Sequence, residues 1–162
     1  MRDWVVASGI VEGPDGLLLV QNRRRDGSHD WSPPGGVVEV GEGEDVRTGL
    51  TREVLEETGI RVTEWEGPVY VVEAEAEEQA WRLRVEVFRA VQYEGEIVID
   101  DPDGIVVDAR FFAEDDCRVQ LSGAWALSHE PFGEWLTERW EDARSYRYRV
   151  DGMRPNLIIT RL

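Results

Sequence analysis

The chain has 162 residues, enough for one domain with its own hydrophobic core, and we expect residues 1–162 to form a single domain. A net charge of −16 argues against nucleic-acid polymers and anionic membranes as partners. The single cysteine, Cys117, excludes an internal disulfide, and the sequence has neither a long apolar run nor the layout of a signal peptide, so we expect a cytoplasmic protein.

The first predicted elements are two β-strands, residues 4–12 and 17–22, joined by a Gly-Pro-Asp-Gly turn. We expect these strands to form a hairpin. Three arginines follow the second strand and form a cationic cluster in a strongly acidic protein. Guanidinium groups bind phosphate bidentately, so Arg23 and Arg24 are candidates for phosphate binding, whereas Arg25 has the character of a solvated loop residue.

Residues 26–34 predict a loop that leads to Gly35 and Gly36, where the backbone can approach a ligand closely. Trp31 is expected to pack beneath this loop, and His29 is expected on the surface.

The next element is an amphipathic helix that carries a cluster of carboxylates and ends at Thr58-Gly59. Glu53, Glu56 and Glu57 stand at helical spacings of i, i+3 and i+4, so their side chains share one face. A solvated helix face would explain the charge alone. Closely spaced carboxylates repel one another, however, and Mg²⁺ relieves that repulsion by binding carboxylate oxygens, water and substrate phosphates. Arg52 is placed to orient Glu56.

The segment 35–60 resembles the Nudix box, a family pattern that ends in Arg-Glu-aliphatic-x-Glu-Glu-x-Gly-aliphatic. Residues 52–60 match every specified position, and the glycine-rich loop before them is also similar. Nine residues separate Glu42 from Arg52, where the family has seven. A repeated Gly-Glu therefore reads as a two-residue insertion, and either Glu42 or Glu44 corresponds to the family's loop glutamate.

This resemblance implies an α/β fold, a Nudix-type α/β/α sandwich with a mixed β-sheet between helices. It also implies a hydrolase that depends on Mg²⁺ or Mn²⁺ and cleaves a phosphoanhydride bond in a nucleoside diphosphate-linked small molecule. The residue roles that it implies are metal ligation by Glu53, Glu56, Glu57 and the carbonyl of Gly35, orientation by Arg52, and phosphate contact by Arg23 or Arg24. One of the glutamates or another carboxylate would assist deprotonation of water.

Within the family, a nucleoside triphosphate pyrophosphohydrolase is the leading expectation. An ADP-ribose or dinucleoside polyphosphate hydrolase and a non-catalytic nucleotide-binding module are the alternatives. The position where ADP-ribose hydrolases tend to have proline is Ala76, and Glu77 and Glu78 stand where dinucleoside polyphosphate hydrolases tend to have tyrosine. The sensor alternative is weakened by the intact Arg-Glu-x-x-Glu-Glu set.

The rest of the chain predicts long strands, a carboxylate-rich turn at 100–104 and a second helix. Arg82 and Arg84 are expected to pair with Glu73 and Glu75 across a hairpin, with substrate contact as the alternative. No spacing rule selects an additional catalytic carboxylate from the pool Glu94, Glu96, Asp100, Asp101, Asp103 and Asp108. The predicted elements are strands at 61–76, 79–93 and 105–112, a helix at 131–142 with proline at its start, and a tail at 157–159 that is either a last strand or a homodimer contact.

Overall fold

The computed structural model describes residues 1–162, apart from the side chain of Val40. Within this range ten β-strands form two sheets, and three α-helices pack against them. The first five strands are β1 (Arg2–Ile10), β2 (Glu12–Gly13), β3 (Gly16–Arg23), β4 (His29–Ser32) and β5 (Gly35–Val37). The later strands are β6 (Arg61–Ala76), β7 (Trp81–Glu94), β8 (Val106–Phe112), β9 (Arg144–Asp151) and β10 (Ile158–Arg161). The helices are α1 (Val46–Thr58), α2 (Glu114–Leu121) and α3 (Ala126–Glu138).

The larger sheet is mixed and has the strand order β10-β9-β6-β7-β1-β5. Strands β6 and β7 form its long antiparallel hairpin, while β1 runs parallel to β7 and β9 runs parallel to β6. The α1 helix packs against β1 and β6, and α3 packs against β6 and β10. Hydrophobic clusters on the two faces hold α1 on one side and α3 on the other, which confirms the predicted α/β fold with a mixed sheet between helices.

The second sheet is antiparallel and is built from β2, β3, β4 and β8. Here the predicted N-terminal hairpin is only partly correct, because pairing between its arms is confined to the region near the turn. The long arm, β1, belongs to the other sheet, and the chain crosses between sheets near Val11. The run Leu17–Val20 is buried on both sides, since Leu17 and Leu19 enter one core while Leu18 and Val20 enter the other.

The C-terminal region contains the main errors of the sequence prediction. The helix expected at 131–142 begins earlier, at Ala126, and ends at Glu138, with Pro131 inside it rather than at its start. Strand β4 lies within the predicted loop 26–34, and α2 and β9 had no predicted counterpart. The tail does form a last strand, β10, paired with β9.

The ion pairs of Arg82 and Arg84 were predicted from the sequence. Arg84 pairs with Glu73 at 2.6 Å as expected, but Arg82 pairs at 2.8 Å with Asp3 of the neighbouring strand instead of Glu75. Arg82 lies on β7 between β6 and β1, so either neighbouring strand could supply its partner.

No helix in the described part of the chain is both long enough and apolar enough to cross a lipid bilayer.

Candidate active site

The α1 helix begins and ends at well-defined caps, which fixes the direction of its side chains. Asp45 is the N-cap, and its carboxylate accepts a hydrogen bond from the Thr48 amide at 3.3 Å. At the other end, Gly59 adopts the left-handed conformation, with φ of 81°, as the Thr58-Gly59 pair predicted. Leu50 and Val54 are completely buried against the sheet. Glu57 and Glu53 lie beside the loop that contains Gly35 and Gly36, and Glu56 contacts Arg52.

Glu57 is the most deeply buried of the three glutamates, with 8% of its surface exposed. The amide of Gly35 donates a hydrogen bond to Glu57 Oε2 at 3.2 Å. Burial raises the pKa of the Glu57 carboxyl to about 8, and the nearby charges of Glu53, Asp101 and Glu56 act in the same direction. A buried carboxylate with one neutral hydrogen-bond donor is a strong site for a cation.

Glu53 lies against the second glycine of the loop. A Cβ atom at Gly36 would stand 3.0 Å from Glu53 Cδ, so glycine leaves the space that this carboxylate occupies. Desolvation raises the pKa of Glu53, opposed by the charge of Arg52 and reinforced by Glu56 and Asp103. The Gly-Gly pair therefore lets two carboxylates of α1 approach the loop backbone.

Arg52 links the helix glutamates to the preceding loop. Its Nη1 lies 3.2 Å from Glu53 Oε1 and 3.5 Å from Glu56 Oε2. Its other edge faces Glu44, with Nη2 donating to Oε1 at 3.1 Å and Nε donating to Oε2 at 3.3 Å. The hydrogen bonds with Glu44 raise the pKa of Arg52 and lower the pKa of Glu44. Glu44, rather than Glu42, is thus the loop glutamate that contacts the arginine.

The two-residue insertion is accommodated in a compact turn ahead of α1. The amides of Glu42 and Glu44 both donate to the carbonyl of Glu39, at 3.0 and 3.3 Å. Gly49, inside α1, provides room for the returning side chain, because a Cβ there would lie 2.6 Å from Glu44 Oε1. The insertion leaves the helix unbroken from Val46 to Thr58.

The two arginines predicted to contact phosphate have different environments. Arg24 forms a bidentate ion pair with Asp30, with Nη2 donating to Oδ1 at 2.8 Å. Arg23 is exposed, and its Nη2 donates to the carbonyl of Gly104 at 3.3 Å. Its backbone amide also donates to the carbonyl of Ile105 at 2.8 Å. Of the two, Arg23 has the guanidinium that is not held by a carboxylate within the described residues.

The turn at 100–104 brings two members of the carboxylate pool near α1. Asp101 accepts hydrogen bonds from the amides of Asp103, Ile105 and Val106 at 3.0–3.2 Å. Its charge acts on Glu57, and the charge of Asp103 acts on Glu53. Sequence reasoning could not select these residues, because the turn reaches α1 only through the pairing of β8 with β3.

The glutamates of α1 were predicted to bind a metal ion, and their arrangement bears on that prediction. Across the described residues, no group of three or more His, Cys, Asp or Glu side chains is arranged around a common point that could hold an ion. Arg52 bridges Glu53 and Glu56, and Glu57 turns toward the Gly35 amide. The donor set nevertheless suits a hard cation, since it consists of carboxylate oxygens beside a loop backbone that glycine leaves accessible.

Comparisons with known proteins agree with this geometry. The family model described as NUDIX domain matches residues 3–136. A MutT-like protein from Streptomyces ambofaciens is 48% identical over 58 residues, a match that covers 36% of this chain and 35% of that protein, about a third of its length. The solution structure of the Escherichia coli ORF135 protein has a TM-score of 0.67 at 21% identity and covers 88% of this chain and 96% of its own. The MutT protein from Methanosarcina mazei Go1 has a TM-score of 0.68 at 17% identity, covering 86% and 97%.

The chain belongs to the NUDIX domain family. The matched range includes the whole of α1 and the loop before it, and the structural neighbours share the fold. The resemblance of residues 52–60 to the family pattern is therefore confirmed.

Proposed function

We propose that this chain is a metal-dependent hydrolase of the phosphoanhydride bond in a nucleoside diphosphate-linked substrate, and first of all a nucleoside triphosphate pyrophosphohydrolase. The observation that supports this most is the approach of Glu53 and Glu57 to the Gly35-Gly36 loop, with Arg52 held between Glu53 and Glu44. An ordinary solvated helix would not bury Glu57.

In this proposal, Glu53, Glu56, Glu57 and the carbonyl of Gly35 bind Mg²⁺ or Mn²⁺. When bound, the cation would neutralise phosphate charge and lower the pKa of an attacking water. One of these glutamates or another carboxylate near α1 accepts the proton of that water. Arg52 keeps the carboxylates apart in defined orientations through its contacts with Glu53 and Glu56.

Residues outside α1 complete the proposed site. Arg23 holds a substrate phosphate, since its guanidinium carries no carboxylate partner in the described structure, while Arg24 orders the loop through Asp30. Asp103 is the additional carboxylate, because it is exposed and its charge acts on Glu53. Asp101 serves the turn itself, with its oxygens occupied by backbone amides.

A hydrolysis screen over nucleoside triphosphates, ADP-ribose and dinucleoside polyphosphates, each with Mg²⁺ and Mn²⁺ and with the products separated by chromatography, tests the proposal. We expect turnover with a nucleotide and a loss of roughly 10²-fold or more in Glu57→Gln. Glu64→Gln, on the exposed side of β6, is the matched control and should retain full activity. Near-normal turnover in Glu57→Gln would contradict the assignment.

A thermal-shift series separates the enzyme from its alternatives. An enzyme of this kind is stabilised by Mg²⁺ and further by nucleotide, and it releases product. Stabilisation by both ligands without product would indicate a nucleotide-binding module. A response to the cation alone would indicate an acidic cation-binding protein.

A further inference from the structure

A groove of about 740 Å³ opens on one face of the six-stranded sheet, at the end of β1 that carries Asp3 and Val5. Val5 and Ala7 are two residues apart on one strand, so they share a face, and both belong to the cluster that packs with α1. Ala7 also pairs with Gly36, against which Glu53 lies. The groove and the glutamate site are therefore neighbours on the same face of the sheet.

The wall of the groove is strongly charged. Four arginines line it, and three of them are held by carboxylates. The pairs are Arg82–Asp3 at 2.8 Å, Arg84–Glu73 at 2.6 Å and Arg149–Asp151 at 2.8 Å. Arg147 differs, because no carboxylate forms an ion pair with it among the side chains that the structure describes.

The position of Arg147 follows from the strand register. Val5 pairs with Arg84, Arg84 with Glu73, and Glu73 with Arg147, so these four residues form one row across the sheet. This row is the next one beyond Ala7 on the same face. Four strand spacings and two residues separate Arg147 from Gly36, which is roughly 20 Å in the plane of the sheet. An extended ligand and the long Arg147 side chain would have to bridge this distance together.

The chemistry of this wall favours recognition by charge. A guanidinium without a carboxylate partner, exposed in a protein of net charge −16, is a ready site for an oxyanion. Glu75 and Glu77, two carboxylates of the groove that lie outside its ion pairs, stand farther from α1 than the row of Arg147. Among the described side chains, Arg147 is thus the arginine of this row that has no carboxylate partner to compete with an anionic ligand.

We propose that this groove holds the part of the substrate that extends beyond the phosphoanhydride, and that Arg147 selects substrates in which that part carries a second negative charge. The inference rests on the proposed function for its substrate class. Suitable molecules are nucleoside diphosphate derivatives with an additional phosphate or carboxylate on either half.

Binding to the wild-type chain in EDTA, where no turnover occurs, tests the inference by isothermal titration calorimetry. Two matched pairs of probes place the extra anion on different halves: NADP⁺ against NAD⁺, and UDP-glucuronate against UDP-glucose. The charged member of at least one pair should bind about tenfold more tightly. Arg147→Gln should remove this preference. Arg149→Gln, on the same strand and in the same groove, should keep it, because Arg149 is already paired with Asp151.

Equal affinities within both pairs, no binding by any of the four probes, or equal losses in the two variants would overturn the inference. Its failure is distinguishable from failure of the proposed function. Turnover in the hydrolysis screen without a charge preference would leave the hydrolase and remove the role of Arg147. A charge preference that depends on Arg147, in a chain without turnover, would leave the groove as an anion site and remove the hydrolase.

Discussion

The contact between Glu44 and Arg52 depends on a glycine, and Gly49→Ala is the variant that tests it. Gly49 is buried and is the fourth residue of α1, and glycine within a helix costs up to about 1 kcal/mol relative to alanine. The added methyl group would stand 2.6 Å from Glu44 Oε1 and 3.0 Å from Glu44 Cδ. Both atoms lie at the free end of a flexible side chain, so Glu44 must move while the helix backbone stays in place.

The Gly49→Ala change has two opposing effects on the free energy of unfolding. Alanine contributes about 0.5–1 kcal/mol through helix propensity. Loss of the ion pair removes up to about 1 kcal/mol, since the Arg52 side chain is 41% exposed. The free energy of unfolding should therefore stay within about 1 kcal/mol of wild type. Arg52 loses the partner that orients it, and turnover should fall roughly 10- to 100-fold.

Chemical denaturation and the rate of nucleotide hydrolysis, measured on the same preparations, check both parts. Gly133→Ala is the matched control, because Gly133 also lies within a helix, α3, and its added methyl group would meet only Arg118 Nη1 at 3.4 Å. This control should gain about 0.5–1 kcal/mol without a change in turnover. Full activity in Gly49→Ala would refute the argument that Glu44 positions Arg52.

Three further predictions concern the same site. Asp101→Asn should reduce kcat, because its carboxylate orders the turn, whereas Asp100→Asn should not; equal kinetics would contradict this. Without divalent cations, the free energy of unfolding should fall as the pH rises from 4.5 to 8. In this range the folded state keeps the proton of Glu57, whose pKa is raised to about 8, whereas the unfolded chain releases it. In Glu57→Gln, denaturation curves recorded across this pH range should no longer show this fall in the free energy of unfolding. An unchanged dependence on pH would contradict the prediction. Arg23→Gln should raise KM several-fold more than Arg24→Gln, and the reverse order would contradict the phosphate assignment.

The sequence predicted the parts of the site that depend on local spacing. The helix face with Glu53, Glu56 and Glu57 follows from the helical repeat, and the Thr58-Gly59 stop follows from glycine's tolerance of positive φ. Long strands such as β6 and β7 were also predictable, because their alternation extends over many residues.

What the sequence could not predict depends on contacts between distant segments. The choice between Glu42 and Glu44 depends on a turn closed by the carbonyl of Glu39 and on the space above Gly49. The approach of Asp101 to Glu57 requires the second sheet to be assembled. The division of the N-terminal segment between two sheets likewise has no local signal.

The C-terminal helix was misplaced for a different reason. Proline favours the first turn of a helix, so Pro131 suggested a start at that residue. The helix begins at Ala126 instead, where the amides of Ser128 and His129 donate to the carbonyl of Trp125. Buried Leu127, Phe132 and Trp135 hold the helix against the sheet, and this packing outweighs the usual position of proline.

The central claim is that the carboxylates of α1 bind a divalent cation. Titration of Mn²⁺ into the metal-free chain, followed by the electron paramagnetic resonance of the free ion, measures this directly. We expect saturable binding by wild type and at least tenfold weaker binding by Glu57→Gln, with Glu64→Gln unchanged. Equal Mn²⁺ affinity in all three proteins, or no saturable binding by wild type, would contradict it.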